Sequence, residues 1–264
     1  MRVTLKHTLR LHDHLGSLAR THFELRAPFL DQSTEVSDAE TYRAYLQEVV
    51  TDRAHYSDLT PDQRYLHDLA GLPSPVISAY RLRLRLPRLK PRTGDIRASA
   101  RLEDCCQQLA IVAYNFRERV KAFGESSTNI IHSALFQSDT SNRIGKIIRQ
   151  YDESNDRILR YRNFIVHGPK GRIDEFADLR SWELGGIFLH TDLWLDYNNA
   201  FEEVRCEWTS ISRNLLASME SSIAIIQLLN ENLITVGAFN FLQIPGAASS
   251  TLTEIDSSSN LSAP

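Results

Sequence analysis

Between Asp192 and Leu233, apolar side chains return at intervals of three and four: Leu195, Phe201, Val204, Trp208, Ile211, Leu215, Leu216, Met219, Ile223, Ile226 and Leu229. A strand cannot gather such a set on one face, because its side chains alternate with period two. A helix turning about 100° per residue can. This is the longest helical pattern in the chain, with room for a single break. A helix of that length cannot bury its stripe alone, so it demands other helices to pack on. The stretch from Asp95 to Phe123 offers one, with Ile96, Leu102, Cys105, Cys106, Leu109, Val112, Ala113, Phe116 and Val120 at helical spacing and Gly124 as its expected stop. The fold class expected is all-α, a helical bundle. With 264 residues, 42% of them hydrophobic, the chain can bury a sizeable core as one large domain or two small ones.

Other segments fill in the organisation. Residues 1–30 look helical but weakly patterned. Ser37-Asp38-Ala39-Glu40 reads as a capping box ahead of Tyr42, Tyr45, Leu46 and Val49. Thr60-Pro61-Asp62-Gln63 opens a short helix with proline at its first position, which Gly71, Pro73 and Pro75 are expected to end. From Tyr80 to Leu86 the period changes to two, with Leu82, Leu84 and Leu86 facing one way and Arg81, Arg83 and Arg85 the other. That pattern predicts a short basic edge strand, extended by Arg88, Lys90 and Arg92 and limited by Pro87 and Pro91. It divides an N-terminal helical region (1–92, with the basic segment 80–92) from a main bundle (93–244). Residues 129–150 read as a less regular helical connection, 152–167 as a helix, and 169–190 as loop with short elements. Residues 245–264, rich in Ala, Ser and Thr, hold too little apolar surface to fold and are expected to be a disordered tail.

Bulk properties exclude several classes. A net charge of -3 gives no overall basic field, so any nucleic-acid binding must rest on a local patch. The three cysteines, Cys105, Cys106 and Cys206, show neither zinc spacing nor a disulfide framework. No run approaches about 18 apolar residues, so neither a signal peptide nor a membrane span is expected, and the cytoplasm is the expected location. His12-Asp13-His14 lacks a matching ligand set downstream, so no metal or other cofactor is expected. Trp182, Trp194 and Trp208 sit among apolar neighbours and are expected to pack.

The chemistry-bearing segment is Arg162-Asn163-Phe164-Ile165-Val166-His167, followed by Gly168 and Pro169. Arginine presents a planar fork of donors that suits phosphate, and histidine moves protons near neutral pH. Together they supply what metal-independent cleavage of RNA needs. The 2′-hydroxyl is a built-in nucleophile. His167 would take its proton or protonate the leaving 5′-oxygen, Arg162 would neutralise charge growing on the phosphate oxygens, and Asn163 would orient His167 or bond the phosphate. On a helical wheel Asn163 and His167 share a face, while Arg162 lies roughly 140° from His167. A two-fold partner would supply the missing juxtaposition. The bland alternative is a histidine serving only the C-terminus of its helix. Glu153 and Asp156 precede the motif on its helix, where i,i+4-type pairs would order Arg160 or Arg162; the alternative is a solvated helix face.

The run Arg162-Asn163-Phe164-Ile165-Val166-His167-Gly168 resembles the Arg-x(4–6)-His signature of the HEPN superfamily, with Asn in its favoured place after Arg and Gly after His. The resemblance covers roughly residues 95–235. It implies a HEPN-type helical bundle with an N-terminal extension, Arg162 and His167 as a catalytic pair, Asn163 as a supporting residue, and a homodimer in which two motifs face each other. It also implies an endoribonuclease acting as a toxin or antiphage-defence effector, with an antitoxin or defence-system partner. Pro169 stands where one toxin branch carries a tyrosine, which puts regulation by modification of that tyrosine in doubt. Candidate RNA contacts are Lys170 and Arg172 beside the motif, and Arg81, Arg83 and Arg85 in the basic segment. The other readings are a non-catalytic HEPN-like module that binds RNA, nucleotide or a protein partner, and an ordinary helical scaffold in which the motif is coincidence.

Overall fold

In the computed structural model, which describes residues 5–26, 53–91, 97–168, 176–189 and 191–239, the chain is all-α. Among the described residues seven α-helices follow in order: α1 (Lys6–Arg26), α2 (Pro61–Gly71), α3 (Pro73–Arg85), α4 (Ala98–Ile130), α5 (Ala134–His167), α6 (Ala177–Leu189) and α7 (Thr191–Thr235). Short 3-10 helices run over Arg53–Asp58 and Leu86–Arg88. The long apolar stripe expected from residue 192 onward forms α7 without a break. It packs against α1, α3, α4, α5 and α6, while α4 packs against α2, α3, α5, α6 and α7. Buried residues from Leu11 to Phe239 form one core cluster around these two helices.

The expected basic strand is instead the end of helix α3. Alternation holds over only seven residues there, and none of them is β-branched, whereas Leu and Arg are strong helix formers. The residues upstream decide the outcome. Val76, Ala79, Leu82 and Leu86 form a buried helical stripe, and Leu84, expected beside Leu82 and Leu86, is 45% exposed. Arg81 and Arg85 are exposed and Arg83 is half-buried. Helix α2 ends at Gly71 as expected, and Pro73 and Pro75 also open α3, whose first turn tolerates the missing N–H groups. The helix expected to open at Thr60 does so with Pro61 at its first position, and Thr60 and Gln63 cap it reciprocally. The segment expected as loop after residue 169 contains helix α6. The capping box at Ser37 and the tail from 245 lie outside the described residues.

Helices α4 and α5 form the central antiparallel hairpin, joined through Ile131–Ser133. Tyr151 donates to the Ala113 carbonyl at 2.8 Å, and burial pushes its phenol well above the ordinary range, so it remains a donor. Arg117 grips Asp152 through two nitrogens at 2.8 and 3.0 Å. Gly124, expected to stop α4, lies inside it and lets α5 approach. A Cβ there would stand 2.6 Å from Ile144 Cγ2. Gly124→Ala should therefore lower stability, by up to about 2 kcal/mol, because overpacking of about 1–3 kcal/mol is set against a helix-propensity gain of about 1 kcal/mol. Urea unfolding checks this, and a stabilised variant would show that the hairpin opens at no cost.

Two helix starts are capped from far away in the chain. The Glu220 carboxylate on α7 accepts from the backbone of His7 (2.9 Å) and Thr8 (3.3 Å) at the start of α1, and also from the Thr8 hydroxyl. Glu183 on α6 accepts from the backbone of Ala98 (3.1 Å) and Ser99 (3.3 Å) at the start of α4. Both carboxylates are buried. Each satisfies amides that have no partner within their own helix and places negative charge at the positive end of the dipole. His14, considered in the sequence as part of a metal set, bonds Asn230 through Nε2 at 3.1 Å and ties α1 to α7.

Candidate functional site

The motif occupies the last two turns of α5. Asn155 interrupts that helix with φ of -123° and ψ of 16°, a kink that leaves the motif on the segment beyond it. The Asn155 amide bonds the Tyr151 carbonyl (2.8 Å) and the Ser218 hydroxyl on α7 (2.7 Å), which braces the bend. The segment then seats on aromatic rings. Tyr161 meets Trp208 of α7 edge-on at 5.0 Å between centroids, Phe176 at 5.9 Å, and its own neighbour Phe164 at 6.3 Å. Gly168 ends the helix with φ of 72°, a conformation that favours glycine, and its N–H donates to the Phe164 carbonyl at 2.9 Å.

Its polar residues divide as the wheel predicts. Asn163 and His167 are exposed; Arg162 is half-buried and turned elsewhere. The Arg162 guanidinium lies over the ring of Tyr114 on α4, with Cζ 3.7 Å from the centroid, and its Nη1 donates to Asn163 Oδ1 at 3.1 Å. Within one chain Arg162 and Asn163 are thus joined, and no contact joins Arg162 to His167 among the described residues. Asp156 pairs with Arg160, not with Arg162, and Glu153 is exposed. Val166 is 53% exposed beside His167, while Phe164 and Ile165 pack on the core.

The basic segment of α3 lies close by in the fold. Cys105 near the start of α4 touches the Leu82 carbonyl at 3.9 Å, and Arg205 of α7 donates to the Pro87 carbonyl at 2.8 Å. Arg205 stands one turn from Trp208, the seat of Tyr161, so α3's end and the motif meet the same stretch of α7. Arg81, Arg83, Arg85, Arg88 and Lys90 make no ion pair among the described residues, in contrast to Arg157, Arg160, Arg180 and Arg205, which pair with Glu207, Asp156, Glu103 and Glu202. Lys170, Arg172, Pro169 and Arg92 lie outside the described residues.

Of the tryptophans, Trp208 is fully buried and Trp194 packs on Tyr197 at 5.2 Å. Trp182, expected to pack, is 40% exposed, while Leu179 and Glu183 on the same helix are buried. Tyr114 carried no signal in the linear motif, since it belongs to another helix. The only hint was its place next to Ala113 on the buried stripe of α4. No helix of the described residues is long and apolar enough to cross a membrane. No protein-family model, curated protein or solved structure matches the chain.

Proposed function

We propose that the chain is a metal-independent endoribonuclease of HEPN type in which Arg162, Asn163 and His167 form the active group. The observation that carries this reading is the motif itself, held on a braced, glycine-capped helix end with its imidazole open to solvent. The 2′-oxygen attacks phosphorus and the bond to the 5′-oxygen breaks, leaving a 2′,3′-cyclic phosphate and a free 5′-hydroxyl. His167 removes the 2′-proton or delivers one to the departing oxygen. Arg162, which has no carboxylate partner among the described residues, holds its charge available for the phosphate oxygens. Because Arg162 and His167 sit on different faces, the complete site draws them from two copies of the chain related by a two-fold axis. A toxin or defence role, restrained by a partner protein, fits an enzyme that cuts RNA in its own cell.

The direct test is incubation of the purified chain with single-stranded RNA and its all-deoxy counterpart in EDTA. Cut RNA with cyclic phosphate ends and intact DNA are expected; intact RNA would overturn the reading. The unpaired cations of α3 and of the 3-10 turn after it favour a second reading, a module that binds RNA without cutting it. Both readings give these cations the same work. Replacing Arg81, Arg85 and Arg88 with glutamine should weaken RNA binding for all sequences alike. It should also lower the slope of log K against log salt by about 2, at roughly 0.7 per contact on a single strand. An unchanged slope in a titration at several salt concentrations would remove α3 from the RNA interface.

A further inference from the structure

We infer that Tyr114 is a positioning residue for Arg162, a platform that fixes the guanidinium without neutralising it. This rests on the ribonuclease reading above. An arginine that must receive a phosphate faces conflicting needs. Left loose, its long stem loses several rotamers on binding. Held by a carboxylate, as Arg117, Arg157, Arg160, Arg180 and Arg205 are here, its donors and its charge are already occupied. An aromatic face resolves the conflict. The ring attracts the cation through its quadrupole and covers the flat side of the guanidinium, while the N–H donors point outward in the plane. Arg162 shows this arrangement, with Cζ 3.7 Å from the Tyr114 centroid and one donor spent on the neutral Asn163 amide.

The helix that carries the platform is held against α5. On α4 it is flanked by Ala113, whose carbonyl accepts from Tyr151, and by Phe116, which packs on the Tyr151 ring at 5.2 Å. One turn on, Arg117 clamps Asp152 of α5. These contacts fix the stretch of α4 that carries Tyr114 against α5, the helix that carries Arg162. The phenol oxygen plays no part; the face of the ring suffices.

Three chains decide the matter: wild type, Tyr114→Phe and Tyr114→Leu. Each is assayed at saturating single-stranded RNA in EDTA, with RNA affinity measured separately. Phenylalanine keeps the ring, so its cleavage rate should stay within about two-fold of wild type. Leucine should lose about ten-fold or more, the size expected of a partly desolvated cation–π contact, with the loss in rate rather than in affinity. The side-chain proton signals of Arg162 supply a readout independent of cleavage. They should be shifted upfield by the ring in wild type and Tyr114→Phe, and not in Tyr114→Leu. A leucine variant as fast as wild type, a phenylalanine variant as slow as leucine, or the absence of the upfield shift overturns the inference. If wild type cuts no RNA, the ribonuclease reading fails and the positioning role fails with it, whereas a cutting wild type with an indifferent Tyr114 sinks the positioning role alone.

Discussion

His167→Ala should lose RNA cleavage by about 10²- to 10⁴-fold, the range that removal of a general acid or base produces. Its fold should be left intact. The imidazole is exposed and makes no hydrogen bond among the described residues, so its loss should change stability by no more than about 0.5 kcal/mol. The helix end does not depend on it either, because the closing bond runs from the Gly168 N–H to the Phe164 carbonyl. Single-turnover cleavage in EDTA, beside a urea unfolding curve, measures both expectations. The pairing of a large rate effect with a small stability effect is the informative part. A histidine serving only the helix C-terminus would give the reverse: a modest stability loss from the dipole, about 0.3–1 kcal/mol for the charged form, and no rate effect. Cleavage that survives the substitution would assign any RNA cutting to other groups and leave the chain a binding module.

On the helix Arg162 stands roughly 140° from His167, and it is half-buried where Asn163 and His167 are exposed. That much was legible because a single helix obeys a fixed angle per residue. Tyr114, Glu183 and Glu220 were not legible, for a shared physical reason. Each acts on a helix distant in sequence, and the spacing along one helix carries no information about what another brings alongside. Local rules succeeded where the decisive contacts are local, as at the Thr60–Gln63 box and the Gly168 cap. They failed where packing overrode them. Gly124 reads locally as a stop, yet serves as the point where Ile144 of α5 presses in. Leu82, Leu84 and Leu86 read locally as one strand face, but burial of Val76 and Ala79 sets a helical period that puts Leu84 outside.

Trp208→Ala should be among the most destabilising substitutions, at about 3–5 kcal/mol, a large share of the roughly 5–15 kcal/mol that holds a domain together. The residue is fully buried, and both Tyr161 of the motif helix and Phe176 ahead of α6 rest on it. Deleting the indole leaves a void under the segment that carries Arg162 and His167, and the surrounding rings can close it only in part. Trp208→Phe should be much milder, below about 1.5 kcal/mol, since it keeps most of the packing volume. The indole N–H has no acceptor among the described residues, so the phenylalanine variant gives up no hydrogen bond and relieves an unmet donor. Urea unfolding followed by far-UV circular dichroism compares the three chains without relying on tryptophan emission. The contrast reaches the proposed site. At temperatures where both variants are folded, the alanine variant should cut RNA more slowly than the phenylalanine variant, because Tyr161 and Phe164 fix the helix end through this ring. Equal cleavage by the two would mean that α5 holds its last turns by the Gly168 cap and the Tyr114–Arg162 stack alone, with the aromatic seat beneath serving stability only.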